Sequence, residues 1–314
     1  MRAVQFAAYG PPDVLSVAEV PAPQAGPGTV RIAVRASGVT PGETYIRSGR
    51  LRDTVPATFP VRTGVDAAGV VDEIGDGVTG VGIGDEVFGL ASFFDGANAD
   101  HAVLYAWAPK PDAWSWEEAG GAAGNVETST RVLDLLGVTA GQTLLIQGAA
   151  GGVGTVAVQL AAARGARVIG TAGPHNHDLL RSLGGVPTTY GPGLADRVRA
   201  LAPDGVDAVF DCAGGDLPTL IALAGAPSRV VTIADFDAAA HGVHLSHGAP
   251  ADETGTALGA ADRPALHGLA LAVALAGEGR LRVPVAAAFP LEAAAAAHAL
   301  LETRHARGKV VLLN

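Results

Sequence analysis

Cysteine is nearly missing from this chain. Cys212 stands alone in 314 residues, which excludes an internal disulfide and any cysteine-built metal lobe. Long apolar runs are missing as well. None approaches the ~20 residues of a membrane span, although hydrophobic residues make up 48% and leave ample material for a core. Charged residues are scarce at 17%, too few for a disordered chain. The charge that remains leans acidic, with a net of −10. Such a surface repels phosphate backbones and anionic lipid, so nucleic acid and membrane are not expected partners. The opening "MRAVQFAAYG" lacks a signal-peptide core, and a cytoplasmic protein is expected. There is no G-x-S-x-G and no plausible Ser-His-Asp order, so hydrolase chemistry has no support.

What is present changes character along the chain. The first third carries short strand candidates such as "TVRIAVRASGV", "AAGVVDEIG", "DEVFGL" and "HAVLY", separated by Gly and Asp turns. That spacing predicts a β-rich, partly closed barrel-like module. From Glu117 helices and strands alternate: strands at 144–147, 167–171, 207–211 and from 229, with helices at 153–164, 177–183 and 217–223. This alternation specifies a parallel sheet with crossover helices. The tail predicts a helix at 265–276, a strand at 281–285, a helix at 291–303 and a last strand at 309–313, and it can rejoin the first module. The fold class is therefore α/β. The expected domains are 1–116, 117–264 and a returning segment 265–314.

The stretch "TLLIQGAAGGVGTVAVQ" follows a strand and opens a helix in the first βαβ unit. Ala149, Gly151 and Gly154 occupy the three positions of the dinucleotide-binding fingerprint. Small residues there let the chain turn tightly, let amides approach a pyrophosphate and let helix pack on strand. The helix N-terminus adds partial positive charge. A Walker loop is excluded, since no Lys-Ser/Thr pair follows the glycines. The next strand ends in Thr171, Ala172 and Gly173, where a carboxylate would hold the ribose 2′-hydroxyl of NAD. With none there, and with His175, His177 and Arg181 nearby, the expected cofactor is NADPH.

"GAAGGVGTVAVQLA", "GVDAAGVVDEIGDGVTGVGIGDEVFG" and "TPGETYIRSG" together resemble the medium-chain dehydrogenase/reductase superfamily, in its zinc-free quinone oxidoreductase (ζ-crystallin-like) branch. The resemblance implies a GroES-like catalytic domain, a Rossmann domain and a homodimer joined near "GVHLSH". Zinc-dependent relatives carry Cys near Thr40 and a His-Glu pair where Val65 and Asp66 stand here, so no metal is expected. By the same resemblance Tyr45 is the active-site tyrosine, able to hydrogen-bond a substrate carbonyl or relay a proton. Thr128 and Asn125 lie where relatives contact the nicotinamide. Ala150, Gly151, Gly152 and Val153 match the pyrophosphate-binding segment. Gly173, His177 and Tyr190 match the 2′-phosphate site, and Arg304 and Lys309 match a tail that reaches toward the cofactor. The chain departs from the pattern at Thr40, where relatives often have Asn, and at Asn98, where they carry an aromatic residue.

The implied function is NADPH-dependent hydride transfer to a quinone or an α,β-unsaturated carbonyl. An enoyl or polyketide-type reductase is an alternative, and an NADPH-binding structural or redox-sensing protein is a third. Three smaller features read as structural. His241, His244 and His247 recur at spacing three, but in a strand consecutive members face opposite sides. Cys212 reads as a small core residue, and Trp107, Trp114 and Trp116 as packing at the domain junction.

Overall fold

The computed structural model describes residues 1–248 and 260–314. It divides into two units, Met1–Asn125 with Leu266–Asn314, and Val126–Ala265. The first begins with β1 (Arg2–Phe6), β2 (Leu15–Glu19), β3 (Val30–Val39), α1 (Pro41–Arg47), β4 (Val61–Arg62), β5 (Asp66–Ile74), β6 (Glu86–Ala91), β7 (His101–Pro109) and α2 (Trp116–Gly120). In β3 the inward residues Val30, Ile32 and Val34 alternate with more exposed ones, and the strand is then buried from Ala36 to Val39. α2 starts on a complete capping box: Ser115 accepts from the Glu118 amide, and Glu118 accepts from the Ser115 amide. Such a box satisfies two orphan donors at once.

The unit boundary falls within α3 (Ala123–Leu135), between Asn125 and Val126. It lies later than the composition change at 116/117 because small residues lay α2 and the start of α3 on the barrel. A Cβ on Gly120 would stand 2.6 Å from the Ala36 backbone, and one on Gly121 2.5 Å from the Lys309 side chain.

The second unit runs β8 (Thr143–Gln147), α4 (Gly152–Ala163), β9 (Arg167–Thr171), α5 (His177–Ser182), β10 (Val186–Thr188), α6 (Leu194–Leu201), β11 (Ala208–Asp211), α7 (Leu217–Ala224), β12 (Val230–Thr232) and β13 (His244–Leu245). All six strands pair in parallel, in the order β10-β9-β8-β11-β12-β13. Counted from β8 this is 3-2-1-4-5-6, the doubly wound dinucleotide-binding order, whose switch point lies at the carboxyl end of the first strand. Leu145, Ile169, Val209, Leu217, Leu220 and Val230 fill its core. Each such side chain contributes roughly 1.5–3 kcal/mol on burial.

The tail returns as α8 (His267–Gly277), β14 (Val285–Pro290), α9 (Ala294–Glu302) and β15 (Lys309–Leu313). β15 pairs antiparallel with β3 and parallel with β14, giving a sheet β14-β15-β3-β5-β6-β7 in which β3 also meets β7. The β-rich first module is thus a partly closed barrel, flanked by a smaller sheet β2-β1-β4. The expected strand at 281–285 is displaced. Residues 281–284 join no ladder: Pro284 has no N–H to donate, and its carbonyl takes the Lys309 amide at the start of β15. The tryptophans serve the first unit. Trp114 is buried edge-on against Phe88 and donates to the Leu281 carbonyl at 3.1 Å, Trp116 lies under Lys110, and Trp107 packs on the barrel core. No helix among the described residues is long and apolar enough to cross a membrane.

Candidate active site

The glycine loop sits at the carboxyl end of β8, the first strand of the parallel sheet. Gly148 turns the chain at φ +75, a conformation that favours glycine. Its amide donates to the buried Thr171 hydroxyl and the Ala149 amide to the Thr171 carbonyl, both at 3.0 Å. Thr171 is therefore spent on fixing the loop. Gly154 is demanded by packing, since a Cβ there would stand 2.4 Å from the Gly148 carbonyl oxygen.

Gly151 is different. It caps α4 with φ −79 and ψ 177, a backbone any residue adopts, and a Cβ would find its nearest neighbour at 3.4 Å. Nothing within the chain requires glycine at that point. Its own amide closes the turn onto the Gly148 carbonyl at 3.1 Å. Among the described residues, the amides of Ala150, Gly152 and Val153 have no backbone acceptor, as expected at the head of a helix. Amides without a backbone acceptor, beside a glycine that packing does not demand, fit an approaching diphosphate.

Beyond β9 the loop bears donors and no carboxylate. Gly173 is extended, the His177 Nε2 lies 3.3 Å from the Ala172 carbonyl, and Tyr190 is 63% exposed. Arg197 holds this rim by donating to the carbonyls of Thr189, Tyr190, Gly191 and Pro192. Arg181 is exposed and paired with Asp178 at 2.7 Å. On the other side of β8, Asp211 was legible only as a strand end. Its buried carboxylate accepts from the amides of Ala213 and Gly214 and from the Thr232 hydroxyl, which shapes the sheet edge beside the loop. Burial, with Asp211 adding to it, pushes the Cys212 thiol well above its usual value, so it stays protonated and is no nucleophile.

Thr128 is half-buried. Its hydroxyl donates to Glu127 at 3.3 Å and receives Arg131 at 3.4 Å. Arg131 also bonds Ser246, whose hydroxyl donates to Asp262 at 2.7 Å, and His244 lies 3.0 Å from the same carboxylate. Burial would raise the Asp262 pKa, but the bonds from Ser246 and His244 and the Arg131 charge outweigh it and hold the group below its usual value. The three spaced histidines part company here: His244 lies in β13, while His241 ends a short turn of helix. No group of three or more metal-ligating side chains gathers among the described residues.

The first unit holds the remaining predicted residues. Tyr45 lies half-buried on α1 with the Arg50 guanidinium 4.7 Å from its ring centroid. Asn125 is buried and its amide nitrogen has no partner among the described residues, a donor still to be satisfied. Arg304 is exposed and takes φ 58 just past α9. Lys309 is only 3% exposed, and its ammonium lies 3.3 Å from the buried Asp66 carboxylate, which also takes the Gly124 amide at 3.1 Å.

Beside this pair lies a cluster the motif reading passed over. The Glu43 carboxyl is buried, with Thr40 Oγ1 3.2 Å from one oxygen, and Asn98 Nδ2 at 3.4 Å and His298 Nε2 at 3.8 Å from the other. Asn98 also donates to the Thr63 hydroxyl at 2.9 Å. Gly64, at φ +100, must be glycine, because a Cβ would lie 2.3 Å from the Asn98 amide. Burial lifts Glu43 to about 8; Lys309 and Thr40 work against the rise and Asp66 adds to it. Burial, aided by Arg47, drops His298 to about 3. The close approach of Glu43 and His298 is thus between two neutral groups at neutral pH, not an ion pair. A usable signal existed in the sequence: Asp66 opens the apolar run AAGVV and Lys309 the apolar run VVLL, and such residues are almost never fully buried unless paired.

Comparison with known proteins agrees with this arrangement. A family model described as alcohol dehydrogenase GroES-like domain matches residues 26–131, and one described as zinc-binding dehydrogenase matches 190–312. The chain is 30% identical over 329 residues to the quinone oxidoreductase of Sus scrofa, covering 100% of this chain and 98% of the other. It is 42% identical over 169 residues to the spectinabilin polyketide synthase system protein NorB of Streptomyces orinoci, a match spanning 53% of this chain but 7% of the synthase. A mycobacterial protein solved in complex with NADPH superposes with TM-score 0.78 at 29% identity, covering 100% of both chains.

Proposed function

The chain belongs to the medium-chain dehydrogenase/reductase superfamily, in its quinone oxidoreductase-like branch, and from that membership we propose that it is a zinc-independent, NADPH-dependent reductase of quinones or α,β-unsaturated carbonyls. The observation that carries the cofactor is the free amide row of Ala150, Gly152 and Val153 behind Gly151, at the switch point of the sheet. These amides hold the pyrophosphate. Gly173, His177 and Tyr190 receive the 2′-phosphate, which a carboxylate at this rim would repel. Asn125 and Thr128 orient the nicotinamide, with the unpaired Asn125 amide donating to its carboxamide. When bound, the reduced nicotinamide supplies a hydride to an electron-poor carbon.

The chain's own residues then orient the acceptor and manage one proton. Tyr45 hydrogen-bonds the substrate carbonyl. Lys309 supports the site from within by holding Asp66, whose carboxylate takes the Gly124 amide ahead of Asn125, and Arg304 lies on the same returning segment. With Thr40, Val65 and Asp66 where relatives place zinc ligands, and an ammonium already on Asp66, polarisation comes from hydrogen bonds and not from a metal. We place the protein in the cytoplasm as a homodimer built on the β13 edge of the parallel sheet.

An NADPH-oxidation assay against phenanthrenequinone and a panel of enones, with calorimetry for NADPH and NADH, tests the reading. Turnover of a quinone or simple enone with preference for NADPH is expected. Turnover confined to enoyl thioesters favours the polyketide-type reductase, which the NorB match supports. Tight NADPH binding with no acceptor reduced favours the sensor.

A further inference from the structure

We propose that Glu43 is the proton reservoir of the reaction, passing its carboxyl proton through the Thr40 hydroxyl to the enolate left by hydride addition. The inference rests on the reductase reading and adds to it the source of the proton. Hydride addition to the β-carbon of an enone leaves an enolate holding the carbon–carbon electron pair. As that enolate takes hydrogen, the Thr40 O–H bond breaks. The Glu43 O–H bond breaks in turn, its proton restores the hydroxyl, and a carboxylate remains. Solvent then returns a proton by the same route. No oxidant or reductant beyond the nicotinamide hydride is required.

The geometry has the features such a relay needs. Thr40 Oγ1 and Glu43 Oε1 are 3.2 Å apart, a bond either group can donate while the carboxyl is protonated. Thr40 caps the N-terminus of α1 and is half-exposed, whereas Glu43 is 6% exposed, so the hydroxyl stands between the acid and water. The pattern Thr-x-x-Glu forms only half of a capping box: the Glu43 carboxyl takes the Thr40 amide, but the Thr40 hydroxyl makes no cap bond and is left on the Glu43 carboxyl. The carboxylate left behind is not stranded. Asn98 Nδ2 lies 3.4 Å from its second oxygen.

Burial and Asp66 keep the proton on Glu43 at rest, against the opposing pull of Lys309 and Thr40. Lys309 is engaged with Asp66, and Arg47, on the same helix, is engaged with Glu302 and the Gly10 carbonyl. His298, 3.8 Å away on α9, is held neutral. Asp66 disfavours a second negative charge, and burial holds the Glu43 proton to about pH 8.

Glu43→Gln keeps the shape but cannot give up a carboxyl proton. With an enone that the wild type reduces, kcat should fall ~10²-fold at neutral pH, with KM and NADPH affinity unchanged. The wild-type decline in kcat near pH 8 should vanish in the variant. Thr40→Val should reproduce the loss and Thr40→Ser should restore activity; this pair decides the matter if Glu43→Gln does not fold. Independently of turnover, the infrared C=O stretch of a protonated carboxyl in the cofactor-free protein should titrate near pH 8 and be missing from Glu43→Gln. An unchanged pH profile, full activity of Thr40→Val, or an ionised Glu43 at neutral pH overturns the proposal while the reductase reading stands. A wild type that reduces no acceptor overturns the reductase reading instead.

Discussion

The glycine loop of the second unit and the acid-lined interior of the first prepare for charge in opposite ways. The loop contains no ionisable side chain. Its polarity comes from backbone amides at the head of α4, and it can meet a diphosphate without titrating. The interior of the first unit gathers Glu43, Asp66, Lys309 and His298 away from water. Its charges exist only because partners hold them, and its protons move with pH. The loop is built from neighbours in sequence. The interior network joins residues as far apart as Asp66 and Lys309, 243 positions along the chain.

The largest effect should come from breaking that long-range pair. Lys309→Met leaves the Asp66 carboxylate buried without a counter-charge, and should lower the urea midpoint by the equivalent of ~3–5 kcal/mol. Adding Asp66→Leu should recover most of the loss, because an apolar pair can replace a buried ion pair. No substitution in the loop should cost as much.

Next in size is the pH dependence of the first unit. Glu43 has a folded pKa of about 8 against an ordinary carboxyl value of 4.5, so the native state holds a proton the unfolded chain releases, and stability falls as pH rises through this window. His298 does the reverse. Its folded value of about 3 against 6.5 means the unfolded chain binds the proton, so stability falls as pH drops below 6.5. Denaturant midpoints across a pH series should therefore show a fall of about 2 kcal/mol on the alkaline side, absent in Glu43→Gln.

Two loop variants sharpen the contrast. Gly154→Ala should destabilise by ~1–3 kcal/mol by forcing its Cβ onto the Gly148 carbonyl. Gly151→Ala should shift stability by no more than ~0.5 kcal/mol, yet weaken NADPH binding ~10-fold by calorimetry. Equal binding by Gly151→Ala would show that the diphosphate does not approach there.

Much of the second unit was legible in the sequence alone. The βαβ rhythm, the parallel sheet and the loop were all readable because each depends on residues within one or two turns of each other. The role of Thr171 was not. It marks a cofactor position in the motif, but its hydroxyl and carbonyl are spent on the amides of Gly148 and Ala149. Asp211 looked like the last residue of a strand and is a hub for two loops. The tail strand begins only at Val285, directly after Pro284, which has no N–H to give to a ladder.

The sequence by itself determined the alternating architecture, the place of the glycine loop and the lack of thiol ligands, since these follow from local pattern, backbone sterics and residue type. Only the tertiary structure decided that Asp66 faces Lys309, that Glu43 is held beside Thr40, Asn98 and His298, and that the Asn125 side-chain amide nitrogen has no partner among the described residues. Burial and electrostatics depend on which distant segments exclude water from a group, and that is decided when the returning β15 pairs with β3 beside the barrel.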